Sequence, residues 1–306
     1  MYARHAPGSL LLGLVLLTAC GDATGLGPGV TLRPITFMQL APGWQIYRVG
    51  LNGSPPEAVA LPGTDLVHPA VSLDGRLLAY INEATDGGLF VLQTDSAQPR
   101  KVYPDAAVDQ LAWSPKGDQL VLALPWWGAG PGAGGLRVVT VADGTTRDIA
   151  SDLSEPTWSP DGRTILAAEG QSPASTRTTG IYSITLGDTT ARLVIAGAGA
   201  RSPAWSPDEQ RVALALGRYG ASFIYTARLD GSDRRQLTRA DSTEAVTDLK
   251  PVWAPDGSRI AFQRDHFICV AGTCTERYDI YVVGRDGSGL RNLTEAASWG
   301  GAAPTW

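Results

Sequence analysis

Few residues in this chain could do chemistry. Histidine occurs three times (His5, His68, His266) and cysteine three times (Cys20, Cys269, Cys274). Arg4 followed by the apolar run Leu10–Leu17 reads as an export signal that is removed, which leaves His68 and His266 as candidate general bases. There is no G-x-S-x-G elbow, no P-loop and no H-E-x-x-H. In an exported chain Cys269 and Cys274, with four residues between them, read as a disulfide. Zinc on these two and His266 lacks a fourth ligand and the usual spacing. Gly130, Gly132 and Gly135 match G-x-G-x-x-G, but the following LRVVTV (136–141) is a strand pattern where a dinucleotide site needs a helix. Asp74, Asp161, Asp208 and Asp256 recur at one place in a tight turn, where an aspartate bonds nearby backbone. The expectation is therefore no metal, no cofactor and no catalysis.

What remains is binding chemistry. Trp126 and Trp127 stand in the Gly-rich insertion PWWGAGPGAGG (125–135), either folded over a groove or presented to a partner or a sugar ring. A second set comprises His68, Gln110, Glu155, Ser202, Lys250 and Ala303, each preceding the same position, usually a proline, in a recurring strand.

That strand belongs to a repeat. TWSPDGRTILAAE (157–169) returns as AVSLDGRLLAYIN (70–82), AWSPKGDQLVLAL (112–124), AWSPDEQRVALAL (204–216) and VWAPDGSRIAFQR (252–264), with APTW closing the chain. The anchors Val71, Trp113, Trp158, Trp205, Trp253 and Trp306 are spaced by 42, 45, 47, 48 and 53 residues. Each copy predicts a hairpin through a Pro-Asp-Gly turn. Each is followed by a second hairpin such as DIYVVGRDGS (279–288) and a short outer run such as RNLT (291–294). Four strands in about 45 residues is the unit of a β-propeller blade. Counting strand types predicts six four-stranded antiparallel blades. ITFMQ (35–39), QIYRVG (45–50) and EAVAL (57–61) would share one blade with PTW (304–306) and close the ring.

In such a blade the Pro-Asp-Gly and Asp-Gly turns lie on one face. The long insertions 125–135, 170–180 and 264–278 lie on the other, together with the residues from His68 to Ala303. That second face is the candidate binding face. A net charge of −5 with 18% charged residues provides no basic stripe for nucleic acid.

Leu17-Thr18-Ala19-Cys20 behind the apolar run resembles the lipobox of bacterial lipoproteins. The resemblance implies cleavage after residue 19, acylation of Cys20, a Gly-rich tether to residue 29 and a propeller over 30–306. Gly21 after the cysteine, by the same resemblance, favours the periplasmic side of the outer membrane over the inner membrane.

The W-S-P-D-G hairpin, the I-Y-x-x-x-x-D-G hairpin and the outer x-L-T strand are similar to the propeller of TolB and its relatives, over about residues 30–306. The α/β domain that precedes the propeller in TolB has no counterpart ahead of residue 30. The resemblance implies a monomeric, lipid-anchored, non-enzymatic scaffold of the cell envelope that binds protein partners on its long-loop face. The alternatives are an oligosaccharide or small ligand in the central funnel, or an accessory to a propeller-type lyase or hydrolase.

Overall fold

The computed structural model describes residues 33–306 apart from 41–42, 53, 85, 97, 126–133, 171–174, 189, 241–244, 271–272 and 296–300, and leaves out the side chains of 268–275. Cys20, Trp126 and Trp127 thus lie outside the described residues, as do the side chains of Cys269 and Cys274.

Each W-S-P-D-G motif closes a hairpin by a fixed set of bonds. In the copy at 157–164 the Ser159 hydroxyl donates to Asp161 Oδ1 (2.6 Å), which also accepts the Arg163 N–H (2.9 Å). The Ser159 oxygen in turn accepts the Thr164 N–H (2.9 Å), and Gly162 supplies the positive φ of 71° that the turn requires. Ser72–Asp74 and Ser206–Asp208 repeat the hydroxyl–carboxylate bond at 2.6 Å. The turn aspartates are accounted for as backbone anchors.

The strands follow in sequence. The first set is β1 (Ile35–Leu40), β2 (Trp44–Val49) and β3 (Glu57–Ala58). The next is β4 (Leu66–Val71), β5 (Leu77–Asn82), β6 (Gly88–Gln93) and β7 (Arg100–Tyr103). Then come β8 (Gln110–Trp113), β9 (Gln119–Leu124), β10 (Gly135–Thr140) and β11 (Thr146–Ser151), followed by β12 (Leu153–Trp158), β13 (Thr164–Glu169), β14 (Gly180–Thr185) and β15 (Ala191–Ala196). Two further sets are β16 (Arg201–Trp205), β17 (Val212–Arg218), β18 (Ala221–Ala227) and β19 (Arg235–Gln236), and β20 (Ala245–Trp253), β21 (Arg259–Val270), β22 (Thr273–Gly284) and β23 (Arg291–Asn292). The last strand is β24 (Ala302–Thr305), which pairs with β1 in a sheet of order β24-β1-β2-β3. The protein is an all-β propeller of four-stranded antiparallel blades, with no helix among the described residues.

The second strand of a blade is buried on both faces. LLAYIN, QLVLAL and TILAAE each bury four consecutive central residues. Such runs lose the alternation of a half-exposed strand because a neighbouring blade covers each side. One core cluster joins Val121, Ala123 and Leu136 to Trp158, Ile165 and Tyr182, and another joins Ile35 and Phe37 to Ala261, Ile280 and Trp306. Three outer strands, β3, β19 and β23, have two residues each, which blunts those edges against stray pairing, whereas the outer strands β11 and β15 run to six. The outer runs 57–61, 235–238 and 291–294 predicted from sequence are thus longer than the strands observed.

The anchor tryptophans do more than fill the core. Trp113 Nε1 donates to the carbonyl of Ala70 (2.9 Å), Trp158 to Ala112 (3.2 Å) and Trp253 to Ala204 (3.2 Å). Each indole is thus tied to the first strand of the preceding blade, and for Trp113 and Trp158 this bond crosses between separate sheets. Trp306 donates instead to Arg33 (2.9 Å), beside its own blade. Trp205 is the exception, partly exposed and with a buried indole nitrogen that has no partner among the described residues.

Two features depart from a uniform repeat. The insertion at 264–278 is a hairpin extension that continues β21 and β22 to twelve residues each. The N-terminal end of β20 also pairs in parallel with β18, through Ala221 opposite Val246 and Ser222 opposite Thr247, fusing two blades into an eight-stranded sheet. This extension carries a buried ion pair: Arg264 Nε and Nη2 meet the two Asp248 oxygens at 2.6 and 2.8 Å, and Thr238 donates to the same carboxylate. Leaving either partner of such a pair alone in the interior is costly.

Candidate functional site

The first strands of the blades surround a cavity of about 610 Å³. Its lining repeats the motif read from sequence, with a variable residue, a proline, the tryptophan and then the turn proline. His68, Gln110, Glu155, Ser202, Lys250 and Ala303 all line it, so the structure brings the predicted rim residues together. Strand register places them at one end. Leu66 pairs with Asn82 and Leu153 with Glu169, so the rim sits beside the ends of these second strands, from which the second-to-third loops leave. The other end is formed by Leu73, Pro115, Pro160, Pro207 and Pro255 of the turns.

The rim residues owe their orientation to a repeated backbone device. His68, Glu155, Ser202, Lys250 and Ala303 have φ between 50° and 54°, in the left-handed region that side chains with a Cβ disfavour. A register shift follows each, as between Val67 and Ala70 or Leu249 and Val252, so each forms a bulge. Gln110, followed by Leu111 where the others have proline, pairs with Ala123 in an unshifted ladder. Five copies of the same strain mark it as a property of the fold, while the side chain at the bulge varies from copy to copy. Ala303 and Ser202 spend their backbone N–H groups on neighbours, Ala303 to Gln263 Oε1 (2.9 Å) and Ser202 to Glu155 Oε2 (2.5 Å).

Lys250 stands among carboxylates. Burial lowers its pKa, while Glu155, Asp265 and Asp109 hold it up. Burial and the Lys250 charge push His68 down to about 3, so the imidazole is neutral in the physiological range. Asp265, 3% exposed, is pushed up to about 6, chiefly by burial, against the 2.7 Å bond from Gln263 Nε2 and the pull of Lys250. Burial also raises Asp109, opposed by Lys250. With its pKa pushed down to about 3 the His68 imidazole is a weak base, and no group of three or more His, Cys, Asp or Glu among the described residues is placed to hold a metal.

Asp109, Gln263 and Asp265 were not singled out in the sequence. Gln263 and Asp265 sit two apart within β21 and so share a face, a signal that becomes visible once the rim is located. Tyr219, 62% exposed, packs edge-on against Phe267 at 4.8 Å and donates to Glu276, whose other oxygen accepts from Tyr278 (2.6 Å). His266 lies 3.6 Å from Asp279 and within reach of Tyr281, in a structural network with Arg277.

No protein-family profile matches the chain. A TolB of the Tol-Pal system from Anaeromyxobacter dehalogenans strain 2CP-C is 33% identical over 105 residues, 34% of this chain and 21% of that protein. The match thus spans about a fifth of the length of such curated relatives. Among solved structures, TolB from Acinetobacter baumannii superposes with a TM-score of 0.70 at 14% identity, covering 89% of this chain and 66% of that one. A putative TolB from Agrobacterium tumefaciens gives 0.64 at 19% identity, covering 90% and 92%. Local sequence likeness and overall fold agree: the chain is a TolB-like β-propeller.

Proposed function

We propose that this protein is a non-enzymatic interaction scaffold of the bacterial cell envelope, with protein partners docking on the rim end of the channel. The observation that carries the reading is the 33% identity to a Tol-Pal system protein over a third of this chain. A propeller supports it physically: its loops are held at fixed positions, so docking loses less entropy than ordering a mobile surface. In this reading the blades number six and the ring is closed by β24 beside β1–β3. Core contacts on both sides of that sheet, to Leu66, Leu78 and Tyr80 and to Ala261 and Ile280, support closure.

Photo-crosslinkers placed at Gln110 and at Lys116, on opposite ends of the channel, test the docking face in the presence of the purified Tol-Pal components. Crosslinks from Gln110 alone are expected, and crosslinks confined to Lys116 would overturn the assignment.

The reading includes acylation at Cys20, which holds the propeller at the membrane, and a Cys269–Cys274 disulfide at the end of the β21–β22 hairpin. The register supports the disulfide. Cys269 lies opposite Cys274, and because Arg285 donates to Ser258 (3.0 Å) in the same ladder, alternation makes the cysteine pair a non-hydrogen-bonded one. Such pairs bring Cα atoms to about 4.5 Å, inside the range a disulfide spans. Mass spectrometry of unreduced protein extracted from the envelope reads both: acylated Cys20 at the N-terminus and a loss of two hydrogens linking the cysteine peptides. A chain retaining residues 1–19, or two free thiols, would remove the corresponding element.

A further inference from the structure

The extended hairpin of β21 and β22 sorts its charges by face. Strand pairing sets Arg264 opposite Asp279 and His266 opposite Arg277, so these four share one face. That face carries its own counterions: Arg264 meets Asp248 at 2.6 Å and Arg277 meets Asp279 at 3.0 Å. The other face sets Asp265 opposite Tyr278 and Phe267 opposite Glu276. There Lys250 offsets Asp265. Glu276 is exposed, and its side-chain partners among the described residues are two phenols and no cation.

The phenols come from two different connections. Tyr278 belongs to the hairpin itself and donates to one Glu276 oxygen at 2.6 Å. Tyr219, from the turn between β17 and β18, donates to the other. The Tyr219 ring stands edge-on to Phe267, yet at 62% exposure it is the most open large hydrophobic side chain among the described residues. Its bond to Glu276 pushes the phenol up to about 12, which keeps the hydroxyl a donor and the carboxylate an acceptor.

The chemistry of the guest follows from this arrangement. A carboxylate has about four acceptor positions, and the phenols fill two, so each oxygen keeps room for one more donor. Two such positions side by side fit the paired N–H groups of a guanidinium, and the open Tyr219 ring offers a face for its plane. An ammonium is a point charge and uses only part of that geometry. A divalent ion needs more oxygens than one carboxylate supplies. Ring and carboxylate already hold each other in place, so little has to be ordered when a guest arrives.

We propose that the cluster of Tyr219, Glu276 and Tyr278 receives an arginine side chain of a docking protein, the guanidinium bridging the two Glu276 oxygens and lying against the Tyr219 ring. The inference rests on the docking reading above for the source of the arginine, while the site itself can be tested without any partner.

The full chain carrying isotope-labelled tyrosine, with the Tyr219 and Tyr278 resonances assigned through Tyr219→Phe and Tyr278→Phe, is titrated with Nα-acetyl-arginine methylamide. Saturable shifts of both resonances are expected, with a dissociation constant on the order of 1–10 mM for one side chain binding alone. The uncharged citrulline analogue should bind the same protein about tenfold more weakly, and Glu276→Gln should weaken the arginine derivative by a similar factor. Asp161→Asn, in a Pro-Asp-Gly turn at the other end of the channel, should leave the titration unchanged. Absence of a saturable shift at both tyrosines overturns the site, as does equal binding of the arginine and citrulline analogues. Equal binding of the lysine analogue overturns the assignment to a guanidinium. If the arginine derivative binds while crosslinks from Gln110 fail, the docking reading falls and the site stands; the reverse pair of results removes the site alone.

Discussion

The two ends of the channel are built from the same strands and differ in nearly every physical respect. At the turn end the blades vary one solution, in which Ser72, Ser159 and Ser206 each hold an aspartate two residues on, Glu209 takes the place of glycine in one copy, and the wall is proline or Leu73. At the rim end the backbone repeats and the side chains do not, running from neutral His68 through Glu155 and Lys250 to Ala303. A repeat protein keeps uniform what every unit needs for folding. Variation confined to one end marks the positions that folding leaves open, and so those available for recognition.

The electrostatics of the two ends have opposite sign. Bonds from the neighbouring serine hydroxyls hold Asp74, Asp161 and Asp208 below the usual carboxylate range. Burial pushes Asp109 and Asp265 above it. The turn carboxylates contribute stability above the unfolded value near 4, and it is lost as pH falls through their depressed values. Asp265 does the reverse: the native state binds its proton more tightly, so stability declines as pH rises from about 4 to about 6.

The comparison can be broken most forcefully at the anchors the two ends share. Trp158→Ala removes a ring that is 6% exposed and bonded to Ala112, and should cost about 3–5 kcal/mol in urea unfolding. Trp205→Ala, at the one anchor whose indole nitrogen is unpartnered, should cost clearly less. Equal losses would show that the bond between blades contributes nothing. Smaller effects sharpen the contrast between the ends. Asp265→Asn should stabilise the protein at pH 7 by about 1–3 kcal/mol, with the gain vanishing near pH 4. Asp161→Ala should cost no more than about 1 kcal/mol at pH 7, because the carboxylate is exposed, and that cost too should fade in acid as the parent carboxylate is protonated. Parallel pH profiles for both variants, rather than profiles of opposite sign, would erase the distinction.

What was legible in the sequence is what the repeat encodes locally. The W-S-P-D-G turns, the two-hairpin unit and the residue before each strand proline depend on neighbours a few positions away, and the fold places them as read. Asp109 and Asp265 were missed because their significance comes from the charge influence they share with Lys250, a relation between distant segments that spacing along the chain does not carry. The parallel pairing of β18 with β20 was missed for the same reason, since it joins segments belonging to different repeats. The length of β21 and β22 was not legible, because the sequence marks 264–278 only as an insertion, and it is cross-strand pairing that carries the ladder through Val270 opposite Thr273.

The tryptophans also give the protein an optical property. Trp113, Trp158, Trp205, Trp253 and Trp306 all line the channel, and four of the five have their indole N–H groups engaged by backbone. Emission from this ring is therefore governed mainly by what fills the cavity, and Trp205 is the fluorophore most open to change. Any occupant that displaces water from the channel is announced by the protein's own ultraviolet fluorescence, without a label.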